Sequence, residues 1–459
     1  VGFATFGLSV LGLRLPSAVL GILSFIPLYF LVRGWLGQRV ARIACVLFAF
    51  SHSAVHFSRI GLWNIQTLFL ELTSFALLFA AIRQRRTLPA AFAGLAAGLA
   101  LYSYTAGRLI IVVIAAFLAL RFLVERRRRP VELAAAFAAG VMVAAAPLVL
   151  NYVKNPHILR ADRTGGVLVL AESNLEHLRF ATGEISTAEV LWMQTTTTLG
   201  GFVSIGDASG QYGTKQPLLS PTTAALALLG LAIVVWRIRR PDSQFLLLWA
   251  VLGLVLSSIL VVDPPFHPRL VVLFPIPYIF AGVALERVLR PLFESGGPVR
   301  AAAVVLVLAA IAQSAVFDLT GYRGYLRRID VRTTEWDIIQ VLERVGREHD
   351  YYLFGGPMIT VPLPGLRLFG QDRRLVIGFT PRDVPRDLER DTVFVATPIV
   401  LRGHAPLQPL GQLIGSRFPK THREVTYSQD VPQLVLYFAS PIGGTTERTG
   451  GGGEATNNY

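Results

Sequence analysis

Residues 51–64 read SHSAVHFSRIGLWN and close an apolar run that begins near Val40. His52, His56 and Arg59 stand at i, i+4 and i+7, so a helix places all three on one face. An arginine at the centre of a bilayer costs about 2.5–3.5 kcal/mol on insertion scales. A polar stripe at the end of a membrane helix therefore sits at the interface or lines a wet cavity. The other polar residues of the chain gather on the same side, which favours the cavity.

That reading needs a membrane, and the composition supplies one. Hydrophobic residues make up 53% of the 459, against 16% charged; soluble domains are nearer 45–50% apolar and roughly 25% charged. The mean hydropathy is +0.53, and the excess lies in blocks of about 20 residues, the length that spans a bilayer. The net charge of +14 does not point to nucleic acid. Its arginines sit in short loops between apolar blocks, where the positive-inside rule puts them. The single cysteine, Cys45, lies inside an apolar block and gives neither a disulfide framework nor a Cys-based metal site.

Ten apolar segments are expected to be transmembrane helices: about 15–32, 40–57, 64–82, 88–104, 109–124, 131–152, 221–236, 245–262, 270–288 and 301–319. Arginine clusters follow the first, third, fifth, seventh and ninth, for example Arg83, Arg85 and Arg86, or Arg126 to Arg129. That alternation makes those loops cytoplasmic. The His56/Arg59 end, the Tyr104/Arg108 turn, the loop 153–217 and the DPPFHPR loop at 263–269 then share the opposite, extracytoplasmic side. The fold class expected is a mostly α polytopic membrane protein, residues 1–320, in the plasma membrane. A small extracytoplasmic α/β domain follows at 321–441, with helices near 334–349 and 407–418 and four strands. A Gly-, Thr- and Asn-rich tail at 442–459 is expected to be disordered.

On the outer rim the candidates for binding are His56, Arg59, Glu71, Tyr102, Tyr104, Arg108, Asp207, His267 and Arg269. Arginine suits phosphate because its planar fork grips two oxygens and keeps its charge. Bland readings compete. The arginines can snorkel to headgroups and the tyrosines can form an interfacial belt. Glu71 can be a structural partner of a nearby cation, and Asp207 a turn residue. His52 and His56 have zinc-ligand spacing, but no third ligand is in view.

Several stretches resemble the glycosyltransferase family 39 group of bacterial membrane proteins, relatives of protein O-mannosyltransferases and of the lipid A aminoarabinose transferase. They are Arg14-Leu15-Pro16-Ser17 with Gly21; His56-Phe57-Ser58-Arg59; Gly94, Gly98 and Tyr102-Ser103-Tyr104 before Arg108; Gly206-Asp207; and Pro265 through Arg269. The resemblance implies the multi-helix GT-C fold. It implies transfer of a sugar from a polyprenyl-phosphate carrier to a protein, lipid or glycan outside the cytoplasm, usually with inversion. By match to family motifs, Arg59, Tyr104, Arg108 and Arg269 would contact the donor, followed by Asp207 and His267. The family's catalytic carboxylate would lie upstream of Val1, leaving here the phosphate side of the site. No cofactor is implied with certainty, and a divalent metal ion is left open. The partners implied are the lipid-linked donor, the acceptor and membrane lipids. A polytopic lipid or sugar transporter or flippase is the competing class; it predicts polar positions along a path through the bilayer, where a transferase predicts one rim pocket.

Overall fold

Apolar runs without internal charge become helices, and the prolines and polar turns between them set where each one ends. The computed structural model describes residues 5, 10–126, 128–155, 168–172, 174–175, 186–207, 209, 212–214, 216–328, 334–354, 374–378, 383–396, 410–428 and 431–441. They fall into two compact units, Val1–Tyr325 and Leu326–Tyr459. The expected tail at 442–459 and much of the loop 153–217 lie outside the described residues.

The first unit is helical. Its helices are α1 (Val10–Leu23), α2 (Phe25–Leu36), α3 (Gln38–Ala49), α4 (His52–Arg59), α5 (Asn64–Gln84), α6 (Leu88–Ala100), α7 (Arg108–Glu125) and α8 (Arg129–Lys154). There follow α9 (Thr187–Val203), α10 (Pro221–Trp236), α11 (Pro241–Leu254), the short α12 (His267–Leu270), α13 (Pro275–Glu294) and α14 (Gly297–Arg328). Among the described residues six spans are long and apolar enough to cross a bilayer, or up to eight if each of two bent pairs counts as one. The bent pairs are α3 with α4, at 63°, and the stretch His267–Leu273 with α13, at 45°. Two more of the ten expected segments, α6 and α10, form apolar helices of 13 and 16 residues. Large apolar side chains stay exposed along the long helices, such as Val143 at 70% and Val305 at 61%, as a surface facing lipid requires.

Two helices depart from expectation. The polar loop 153–217 contains α9, whose Thr195-Thr196-Thr197-Thr198 run reads as loop-like. Thr195 Oγ1 donates to the Leu191 carbonyl at 2.7 Å and Thr196 Oγ1 to that of Trp192 at 3.0 Å, so the hydroxyls are satisfied within the helix. Helix α14 runs to Arg328 rather than stopping near Leu319. Tyr322 and Tyr325 therefore belong to the helical unit, not to the external domain that composition suggests.

Where helices cross closely, glycines make the contact. A Cβ on Gly94 of α6 would run into the Phe137 carbonyl of α8, and one on Gly140 of α8 into the Ala91 carbonyl of α6. Small residues at such crossings let backbones approach within lipid.

The second unit is a five-stranded sheet of order β2-β1-β3-β5-β4. The strands are β1 (Asp350–Phe354), β2 (Leu375–Gly378), β3 (Thr392–Ala396), β4 (His422–Ser428) and β5 (Val431–Ala439). β1 pairs in parallel with β2 and β3, while β5 runs antiparallel to β3 and β4. Helix α15 (Thr334–Val345) packs Ile338, Ile339 and Leu342 against Leu353, Val395 and Leu436 on one face. Helix α16 (Leu410–Arg417) packs Leu410 and Ile414 against Phe354, Phe394 and Val435 on the other. The period-2 alternation of β1 and β3 divides the two cores. α15 ends four residues before the expected His349, because Gly346 (φ +95°) takes the left-handed position that stops a helix. The edge strand β2 is four residues long beside two arginines, which leaves little apolar pattern to read.

Gly140→Ala should lower stability by about 1–3 kcal/mol, the usual cost of overpacking, whereas Gly296→Ala, with open space around it, should not. Thermal unfolding of the detergent-solubilised protein checks this; equal midpoints for the two variants would contradict the close crossing.

Candidate functional site

The α3–α4 bend turns the polar stripe of α4 away from the direction of α3. Ser51 starts α4 by accepting from the Ala54 amide at 3.4 Å. The stripe then meets a second one of the same spacing on α14: Asp318, Tyr322 and Tyr325, again i, i+4 and i+7. The His52 amide donates to Asp318 Oδ1 at 3.1 Å. His56 Nδ1 and the Tyr322 hydroxyl lie 3.4 Å apart. Arg59 donates to the Tyr322 hydroxyl at 3.5 Å, its guanidinium 5.7 Å from that ring's centre. Tyr322 and Tyr325 stack on each other at 5.8 Å. Exposed Arg14 of α1 adds a further positive charge near Tyr322.

Tyr212, from the loop after α9, fills the space between the stripes. Its ring stacks on His56 at 4.0 Å and meets Tyr325 edge-on at 4.9 Å. His52 Nε2 lies 3.0 Å from the Pro217 carbonyl, which needs a proton on Nε2. Nδ1 is then the acceptor for the Tyr212 hydroxyl, 2.5 Å away. Burial pushes the Tyr212 phenol well above its ordinary range, so it acts as a neutral donor.

Asp207 holds this loop. Its Oδ1 accepts from the amides of Ser209 (3.0 Å) and His267 (2.9 Å). Its Oδ2 accepts from the Ser209 hydroxyl and from the Gly213 amide at 3.3 Å. Burial raises the Asp207 carboxyl above the usual carboxylate range, against the pull of these donors. Through the His267 amide, Asp207 ties the loop to α12. The His267 ring is fully buried, 6.0 Å from Tyr212 and 6.5 Å from His52 between centres. The Gly201 carbonyl lies nearby, yet neither ring nitrogen meets hydrogen-bond geometry.

Arg269 begins a second cationic patch. It sits 4.2 Å over the Phe266 ring and donates to the Val262 carbonyl at 2.5 Å. Tyr104 is beside it, its hydroxyl within reach of the Arg269 guanidinium. The Tyr104 amide donates to Thr67 Oγ1 (3.1 Å), which also bonds Ser103 (2.7 Å). Asn64 Nδ2 donates to the Pro268 carbonyl at 2.9 Å. The start of α5 thus fixes both the 104 turn and the 268 turn. In the same loop, exposed Asp263 takes a left-handed φ of +60°.

Of the nine residues expected at the site, the fold brings His56 and Arg59 together on Tyr212 and Tyr322, Asp207 together with His267, and Tyr104 together with Arg269. Three others stand apart. Tyr102 accepts from the Leu148 amide at 3.1 Å and donates to the Ala144 carbonyl at 2.9 Å. It therefore inserts into the i→i−4 ladder of α8 next to Pro147, where the helix is already weakened. Glu71 is fully buried near Trp249, and neither carboxyl oxygen is hydrogen-bonded. Trp249 Nε1 donates instead to the Val272 carbonyl at 2.9 Å. Arg108 is exposed at the start of α7, and its side chain makes no hydrogen bond or ion pair among the described residues.

Tyr212, Asp318, Tyr322 and Tyr325 were not among the candidates. For the α14 residues the signal was present: their spacing repeats that of His52, His56 and Arg59. Tyr212 offers none, since it lies in an irregular loop. Among the described residues no three His, Cys, Asp or Glu side chains converge as metal ligands. Cavities of about 480 and 410 Å³ lie against α7 and α8, and one of about 340 Å³ in the sheet unit beside Asp350 and Arg374. They are separate from this cluster, which is defined by its side-chain chemistry rather than by cavity size.

The model of the dolichyl-phosphate-mannose-protein mannosyltransferase family matches residues 1–152. No curated protein sequence matches the chain. Among solved structures, ArnT of Cupriavidus metallidurans bound to undecaprenyl phosphate aligns with a TM-score of 0.57 at 16% identity, over 95% of this chain and 85% of ArnT. The Archaeoglobus fulgidus oligosaccharyltransferase complexed with zinc and sulfate aligns at 0.53 and 13%, over 96% of this chain and 63% of its own. The same archaeal enzyme, AglB, with an inhibitory peptide and a dolichol-phosphate aligns at 0.52 and 13%, over 96% and 65%. Residues 1–152 thus match the protein mannosyltransferase family, and the helical chain around them has the GT-C fold of these membrane glycosyltransferases.

Proposed function

We propose that this chain is a membrane glycosyltransferase that moves a sugar from a polyprenyl-phosphate carrier to a protein, lipid or glycan acceptor on the extracytoplasmic face, with inversion. In this reading all ten apolar segments cross the plasma membrane, bent pairs and short helices included. The arginine loops stay cytoplasmic and the sheet unit lies outside. The observation that carries the reading is the meeting of six segments at one end of the bundle, with Arg59 and Arg269 set among histidines and tyrosines. The undecaprenyl phosphate and dolichol-phosphate bound by the two relatives give the ligand class.

The chemistry follows from charge. As the glycosidic bond to phosphate breaks, negative charge grows on the departing phosphate. Guanidinium groups aimed there stabilise the transition state more than the bound ester. Arg59 and Arg269 each hold weak or neutral partners, a tyrosine hydroxyl and a main-chain carbonyl, which a phosphate oxygen can outcompete. Tyr104, His56 and His267 would contact donor or sugar, and Asp207 would hold the loop that carries Tyr212. In this reading Tyr102 and Glu71 support the helices behind the site, and Arg108 meets the carrier at the membrane surface.

Arg59→Ala and Arg269→Ala should each weaken binding of a polyprenyl phosphate more than tenfold, given about 1.5–3 kcal/mol for a charged hydrogen bond, while Tyr102→Phe leaves it unchanged. Ligand titration of the solubilised protein reads this, and wild-type affinity in both arginine variants would remove them from the site. Incubation with polyprenyl-phosphate mannose and related donors should release polyprenyl phosphate; flux of the lipid in vesicles without release would favour a transporter.

Asp207→Ala strands three main-chain donors, each costing about 1–3 kcal/mol if left buried. Hydrogen exchange should rise in residues 204–220 well before global unfolding, and unchanged protection there would show that Asp207 does not hold the loop.

A further inference from the structure

We propose that the groove between α7 and α8 holds an anionic phospholipid, with its phosphate at Arg85 and Arg129 and one acyl chain along the two helices. The site lies at the arginine-rich end of the bundle, which the chain's own charge pattern assigns to the cytoplasmic leaflet. It is independent of the donor site proposed above.

Two cavities meet there. One, of about 480 Å³, is walled almost wholly by carbon, from Ile111 and Phe122 on α7 and from Ala134, Ala138 and Met142 on α8. The other, of about 410 Å³, carries Arg85, Arg121 and Arg129 with Glu125. Leu118 and Pro130 line both, so the apolar slot and the basic mouth adjoin at these two residues. That order, an acyl-sized slot and then cations at its end, is the order of a phospholipid's own groups.

The arginines differ in how far they are already satisfied. Arg121 is taken by Glu125 and by Gln244, the latter at 3.2 Å. Arg129 gives Nη1 to Glu132 at 2.8 Å, but its Nε and Nη2 have no acceptor. Those two donors form one edge of the guanidinium, the edge that grips two phosphate oxygens at once. The Arg129 side chain is one-third exposed, so a modest turn presents that edge to the mouth. Arg85, exposed in a left-handed turn just after α5, makes no ion pair among the described residues. Arg85 and the open edge of Arg129, set above an apolar slot, select a negative headgroup over a zwitterionic one.

Native mass spectrometry of the full chain in detergent tests this, titrating phosphatidylglycerol against phosphatidylcholine of the same chains. Each basic side chain near a lipid phosphate is worth about fivefold in affinity, so a preference of at least about tenfold for phosphatidylglycerol is expected. Arg85→Ala alone, at an exposed position, should cut that preference about fivefold, and R85A with R129A should abolish it. Ala138→Trp, which fills the slot from an exposed position, should abolish binding of both lipids. Equal binding of the two lipids by the wild type, an unchanged preference in the double variant, or full binding by A138W would each overturn the proposal. So would equal competition by glycerol 3-phosphate, which has the charge and lacks the chains.

Discussion

Polar side chains removed from water gain most by finding one another, and two stripes of identical spacing meet in this way here, leaving Asp318 Oδ2 buried without a hydrogen bond. His52, His56 and Arg59 on α4 face Asp318, Tyr322 and Tyr325 on α14, more than 250 residues apart in sequence. Any one of these groups left unpaired in hydrocarbon would cost several kcal/mol. Paired, they fix where the last long helix meets the first bent one. Tyr212 then closes the seam by stacking on His56 and bonding His52.

The same constraint sets the chemistry available. A main-chain hub at Asp207 holds the loop bearing Tyr212 and binds it to the turn bearing His267 and Arg269. Asn64 and Thr67, at the start of α5, anchor that turn and the neighbouring Tyr104 turn. Three otherwise distant loops and the start of α5 are therefore cross-linked at one end of the bundle. What they present is cationic and aromatic, the chemistry on which the proposed function rests. The fold is the one shared with ArnT and with the archaeal oligosaccharyltransferase.

Much of this could be read from residue order. Arginine clusters in alternate loops marked ten apolar segments; all are largely helical, some in two pieces, and six to eight among the described residues are long and apolar enough to cross a bilayer. The i, i+4, i+7 pattern singled out His56 and Arg59, and place on the expected rim together with the family motifs singled out Tyr104, Asp207, His267 and Arg269. The pattern on α14 was hidden because the stretch DLTGYRGYLRR is polar on average; only its buried face is organised. Tyr102 looks like a belt residue, and its hydroxyl instead braces α8 beside Pro147, a tertiary contact that spacing does not reveal. Glu71 shares a face with Asn64 and Thr67, but two turns deeper that face meets Trp249 rather than the rim. Helix α9 was missed because threonine is a poor helix former until its hydroxyls return to the preceding turn.

The account stands or falls on where a carrier phosphate rests. Cryo-electron microscopy of the full chain in nanodiscs with undecaprenyl phosphate is the direct measurement. The account predicts phosphate density about 2.7–3.2 Å from a guanidinium nitrogen of Arg59 or Arg269, displacing the bond to Tyr322 or to the Val262 carbonyl. Density for the carrier elsewhere, with both arginines still on those protein partners, would contradict it.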